Sequence, residues 1–287
     1  MKGISLATAA VVVCAGSAIA QPDGIGIPGA GMTQLAIQDT PTGFGNSTAG
    51  TQASPGGSEV DGLWGSISAT TLNVAITGNL EGNFNKLWIF FDGVAGGENV
   101  ALGDNVDGGF GEINNFAGMT WDSGFTPDHG IRVEVGGSFL GIRQFDLIDN
   151  TGGDIWTAGG TASLPLVNAA GGFGVTTGWD NANAVGVSDV SAAGALSATT
   201  GWEFSIDLAT FFGATPSAVG IAAFVSNGGG DFLSNQVLPG IGGGGNLAGP
   251  ATLDFNQIPG NQFAVIPTPG TLALLGFSGL VTRRRRR

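Results

Sequence analysis

The alternation of apolar and polar positions is the strongest signal along this chain. In ATTLNVAITGNL, Leu72, Val74 and Ile76 face one way while Asn73, Ala75 and Thr77 face the other, the period-two pattern of a half-buried strand. GWEFSIDLATFF alternates best: Trp202, Phe204, Ile206 and Leu208 share one face, with Glu203, Ser205 and Asp207 opposite. IRVEV alternates too, predicting Arg132 and Glu134 outward. KLWIFFD (Lys86–Asp92) and VGIAAFVSN (Val219–Asn227) are nearly continuous apolar runs, the mark of central strands buried on both faces. Further strands are expected around SFLGIRQFDLI and NQFAVI. Gly/Asn/Asp turns such as GDNVDGG and GIGGGGNLAGP separate these segments. The body's one helix-like stretch, Ser188–Leu196, is short, and no clean internal repeat shows. Helical crossovers of a dozen residues, which a parallel α/β enzyme requires, are missing from the pattern. The fold class expected is therefore all-β, a β-sandwich or jelly-roll-like domain.

The ends behave differently. MKGISLATAAVVVCAGSAIA joins Lys2 to an apolar run and closes on Ala18 and Ala20, an A-x-A cleavage site for signal peptidase after Sec export. Cys14 lies within that run, so the mature chain carries no cysteine for a disulfide or a thiolate ligand. The expected organisation is a signal peptide over 1–20, an irregular Gly/Pro-rich arm over 21–58 with one or two edge strands, a sandwich over 59–265, and a terminal segment over 266–287.

Charge narrows the partners. Between Gln21 and Thr282 the basic residues are Lys86, Arg132 and Arg143, set against all 22 acidic residues, a formal charge of −19. Such a field repels nucleic acid and favours divalent cations.

The terminal segment places Pro267, Thr268 and Pro269 before an apolar run, TLALLGFSGLV, and the cluster Arg283, Arg284, Arg285, Arg286 and Arg287. The run is about half the roughly 20 residues of a bilayer span, and the arginines would hold it on the cytoplasmic side. This three-part layout resembles the PEP-CTERM sorting signal of planctomycete-type and Gram-negative bacteria, with Thr268 where that motif has Glu. The resemblance implies a short hydrophobic anchor helix, transient inner-membrane anchoring, and recognition by an exosortase-like membrane protease. Delivery to the cell surface or an extracellular polysaccharide matrix would follow. Ile76–Asn99, Phe116–Gly130 and Asp231–Leu247 resemble, more loosely, the bodies of secreted proteins carrying this tail. The strand order and GWEFSIDL are similar to carbohydrate-binding and DOMON-like sandwiches.

Chemistry is sparse. The single histidine, His129, sits in a DHG turn, reads as exposed, and has no G-x-S-x-G nucleophile to serve. Paired carboxylates for glycoside hydrolysis would come from Asp122, Asp128 and Glu134. For calcium, the turn ALGDNVDGGFGEINN offers Asp104, Asn105, Asp107 and Glu112 as hard oxygen ligands, or forms a solvated turn capping its own backbone. For sugar binding, Trp64, Trp121, Trp156 and Trp179 are expected in loops, with Trp121 beside Asp122 the leading platform and core packing the alternative. No catalytic residue is assigned. The leading expectation is an exported, non-enzymatic structural or adhesive protein. A carbohydrate-binding, calcium-dependent module comes second and a secreted hydrolase third.

Overall fold

In the computed structural model the described residues are 21–51, 54–137, 139–158, 164–183 and 194–267. The signal segment, with Ala18 and Ala20, and everything from Thr268 onward lie outside them, as do residues 188–193 of the expected helical stretch. Ala195–Ser197, just beyond, form a single 3-10 turn. Among the described residues no helix is long and apolar enough to cross a membrane.

Two antiparallel sheets stack as a β-sandwich. The strands are β1 (Thr33–Ile37), β2 (Gly45–Thr51), β3 (Ser54–Gly57), β4 (Glu59–Ile67), β5 (Thr71–Asn79), β6 (Asn83–Asp92), β7 (His129–Gly136) and β8 (Phe139–Asp146). They continue as β9 (Thr151–Ala158), β10 (Leu166–Ala170), β11 (Val175–Trp179), β12 (Gly201–Asp207), β13 (Ala218–Ser226), β14 (Leu233–Leu238) and β15 (Ala264–Pro267). The first sheet runs β1-β4-β5-β12-β11-β10 and the second β14-β13-β6-β7-β8-β9, with β15 also pairing β13. A small β2–β3 ribbon stands apart.

The alternating segments become the walls of one core. In the first sheet Trp202, Phe204 and Ile206 lie directly across from Ile76, Val74 and Leu72, so two strands present one continuous apolar face. Facing it in the second sheet, Leu87 and Ile89 pair with Val133 and Ile131. All ten belong to the buried inter-sheet cluster. The Gly201–Asp207 strand ends in a one-turn helix, α1 (Leu208–Phe212), because Asp207 caps it by accepting from the Thr210 N–H at 2.8 Å and Gly213 closes it in the left-handed conformation.

A second core explains why every position from Leu87 to Phe91 in the KLWIFFD run is apolar. Trp88 and Phe90 point out of the sandwich, where Phe116, Trp121, Phe125 and Phe255 cover them. Those covering residues come from the long connection between β6 and β7 and from the segment after β14. On the outer face of the first sheet the arm does similar work. Ile27 packs on Trp64 and Ala75, and the Asp23 and Gly24 N–H groups each donate to Glu203 Oε2 at 2.9 Å. Glu203 does face away from the sandwich core as its alternation predicts, and the arm buries it there.

Candidate functional site

Lys86, Arg132 and Arg143, widely spaced in sequence, are brought to one patch on the outer face of the second sheet. Register is the cause: Lys86 lies across from Glu134 in the β6–β7 ladder, and Arg132 across from Arg143 in β7–β8. Directly opposed residues share a face.

Arg132 is the centre. It is 0% exposed, its Nη1 donates to Asp107 Oδ2 and Glu112 Oε2 at 2.7 Å each, and its Nη2 donates to Glu134 Oε1 at 3.1 Å. The guanidinium also lies 5.6 Å from the Trp88 ring centre. Lys86 Nζ reaches Glu134 Oε2 at 3.0 Å and Glu112 Oε1 at 3.4 Å, and Arg143 joins Glu134 at 2.6 Å to Asp154 at 2.9 Å. Burial by itself would raise the Glu112 carboxyl, but Arg132 and then Lys86 outweigh it and hold the group at about 2. The alternation thus predicts the outward direction of Arg132 and Glu134 correctly, while the 93–128 connection buries them instead of leaving them in water.

In this arrangement two of the turn's candidate calcium ligands, Asp107 and Glu112, serve Arg132. Asp107 accepts from the Gly109, Gly111 and Ile113 N–H groups, so the glycine-rich loop wraps a carboxylate already neutralised by Arg132. A Cβ on Gly109 would stand 2.0 Å from Arg132 Nη2, which is why glycine is required there. Glu112 serves the same arginine. Asn105 is tied to the Asn114 side chain and to Glu98, and Asp104 is exposed. Among the described residues no three His, Cys, Asp or Glu side chains gather as a metal site.

Trp121, expected as a sugar platform, is packed inside the fold. Trp121 is 2% exposed, packed 4.6 Å from Phe90 and stacked on Phe255 at 5.8 Å between ring centres, so it offers no face to solvent. Asp122 is buried beside it, accepting from the Gln262 N–H, and burial raises its carboxyl above the ordinary range. Trp64, Trp156 and Trp179 lie in strands β4, β9 and β11. Nor is His129 exposed: its Nδ1 meets Asp128 Oδ1 at 2.7 Å and its Nε2 meets Asp146 Oδ2 at 3.4 Å. Asp122, Asp128 and Glu134 are each engaged by different partners and do not form a facing pair.

The exposed aromatics are phenylalanines. Over the charge cluster stands a pocket of about 360 Å3 whose walls include Phe84, Phe110 and Phe139, with Lys86, Glu112, Glu134 and Arg143 at its polar side. Phe110 is 93% exposed. Phe84 sits at φ 71°, in the stretch where the β6–β7 register slips between Asn83 and Lys86. A bulge of this kind re-aims a side chain, and the left-handed backbone costs a non-glycine residue about 1–2 kcal/mol. Phe84 lies on bare Gly136, where a Cβ would come within 2.4 Å of its ring. A flatter groove of about 490 Å3 uses the alternate residues Asn83 and Asn85, together with Asn227, Asp231 and the stacked rings of Phe44 and Phe232. No motif marks these phenylalanines in the sequence, though flanking glycines in NKLW-adjacent EGNFN and in GGSFLG are a local cue. The chain matches no known protein family, curated protein or solved structure.

Proposed function

We propose that the protein is exported through the Sec route, anchored transiently at the inner membrane by its C-terminal segment, and released to the cell surface or extracellular matrix. There it acts as a non-enzymatic structural or adhesive sandwich. The observation that supports this reading is that the proposed sorting segment adjoins a strand of the folded domain. Ile266 and Pro267 still pair with Val219 and Ala218 in the second sheet, and Ile266 is buried in the main core. Pro267, the first residue of the proposed sorting motif, is thus also the last residue of β15. The reading is tested by mass spectrometry of terminal peptides from membrane, surface and medium fractions. Loss of 1–20 and of the arginine tail, with the remainder outside the cell, is the expected result. An intact tail on a membrane-bound form overturns it.

The phenylalanine pocket favours carbohydrate binding as the adhesive mechanism. Aromatic faces take the C–H side of a sugar ring, while Glu112, Glu134 and Arg143 offer acceptors and donors to its hydroxyls. Retention on a neutral polysaccharide matrix that is lost in Phe110→Ala supports this mechanism; equal retention of both proteins rejects it.

A further inference from the structure

The outer face of the first sheet holds a second polar cluster, remote in sequence from the turn read above as calcium-binding. Glu59 and Asp61 are both 0% exposed. They stand two apart in β4, on one side of the pleat, with a bulge between Val60 and Gly62 drawing Asp61 out of the ladder. Glu59 Oε1 and Asp61 Oδ2 converge on the same nitrogen, Asn183 Nδ2, at 2.7 and 3.0 Å. The sum of those distances puts the two carboxylate oxygens at most 5.7 Å apart.

Three neutral oxygens beside them are buried without a hydrogen-bond partner: Thr77 Oγ1, Asn79 Oδ1 and Asn183 Oδ1. Asn79 lies directly across from Glu59 in the β4–β5 ladder, so its side chain shares that face, and Thr77 follows at the next position on the same side. Asn183 is 4% exposed and already points at both carboxylates. Such orphaned buried acceptors call for an explanation, an ion being one of the few available.

We infer that this face binds a calcium ion, held by the carboxylates of Glu59 and Asp61 and by the neutral oxygens of Thr77, Asn79 and Asn183. Two buried carboxylates this close bring negative charge to a divalent cation from both sides. The donors are all oxygen, which excludes the nitrogen and sulfur preference of zinc. A mixed set of carboxylate, amide and hydroxyl oxygens on a bulged strand suits the irregular coordination of calcium rather than the strict octahedron of magnesium. Asn183 needs only a half-turn of its amide to present Oδ1 in place of Nδ2, an exchange that a cation between the carboxylates makes favourable. An extracellular module of this type binds with Kd of about 10⁻⁴–10⁻³ M. The inference does not depend on the sugar-binding reading, whose residues lie on the other sheet.

The test is thermal unfolding of the chelator-stripped full chain, titrated with CaCl2 and separately with MgCl2. At about ten times Kd, calcium is expected to raise Tm by about 3–6 °C, with a smaller shift from magnesium. The double variant E59Q/D61N is expected to lose that shift. Asp107→Asn should keep the calcium response. Wild-type Tm unmoved up to about 10 mM CaCl2, or a response retained in E59Q/D61N, overturns the site. If the double variant does not fold, equilibrium dialysis of the wild type against radioactive calcium decides: one ion bound per chain supports the inference, and none overturns it.

Discussion

Arg132 Nη1 donates to Asp107 Oδ2 at 2.7 Å, and this one contact changes what the glycine-rich turn is for. A guanidinium of the chain itself occupies the middle of the acidic loop and ties the 93–128 connection to β7. Removing one partner of such a buried pair leaves the others uncompensated. Arg132→Met is therefore expected to lower unfolding stability by about 3–5 kcal/mol, read by urea denaturation. A loss under 1 kcal/mol would mean that water, not Arg132, satisfies Asp107 and Glu112.

Trp121 and Phe110 should separate cleanly. Trp121 lies inside the second core among Phe90, Phe125, Phe224 and Phe255, so Trp121→Ala is expected to cost about 3–5 kcal/mol. Phe110 is solvated, and Phe110→Ala should stay within about 0.5 kcal/mol of wild type while weakening retention on polysaccharide. Paired denaturation and affinity electrophoresis check both halves.

Stability is expected to peak on the acid side of neutrality. Burial raises the carboxyls of Glu81, Asp92, Glu98, Asp122 and Glu203. A group raised in the folded state binds its proton at a higher pH there than when unfolded, so stability grows as pH falls through its folded pKa. Glu112 works oppositely: its contribution is full above the ordinary 4.5 and disappears as pH falls toward about 2. Tm should rise between pH 7 and about pH 5 and decline below about pH 4, as followed by circular dichroism in buffers of constant ionic strength. A steady decline from pH 7 downward would contradict the burial argument.

Ile266 would set a limit on the proposed processing. Its side chain is buried between the sheets, and Ile266→Ala is expected to cost about 2–5 kcal/mol. A protease that trims the tail must therefore leave Ile266 in place, and C-terminal peptide sequencing should find mature ends at or beyond Pro267. Ends before Ile266 on a folded protein would show that β15 is dispensable.

The strands legible in the sequence were those whose own alternation or continuous apolar run carries the information. Leu72–Ile76, Trp202–Ile206 and Lys86–Asp92 form the strands their patterns announce. Polar or glycine-rich strands such as β9, TGGDIWTA, and β14, LSNQVL, were not legible. Their place is set by a neighbour's free edge, and β14 is buried through Gln236, which accepts from the Val60 N–H at 3.2 Å and from Gln38 Nε2 at 2.9 Å. The pairing of Ile266 and Pro267 to β13 was not legible for the same reason, since it is not encoded in those residues themselves.

By itself, then, the sequence determined the all-β class, the position of the central strands and the strongly acidic balance, because these follow from side-chain periodicity and composition. Only the tertiary structure decided which polar residues are solvated. Arg132 and Glu134 read as outward and His129 and Trp121 as exposed or looped, yet other segments of the chain bury all four, and Glu59 and Asp61 acquire meaning only beside Thr77, Asn79 and Asn183. Burial on an outer sheet face depends on contacts with segments tens of residues away, and period-two alternation reports the direction of a side chain without reporting what lies above it.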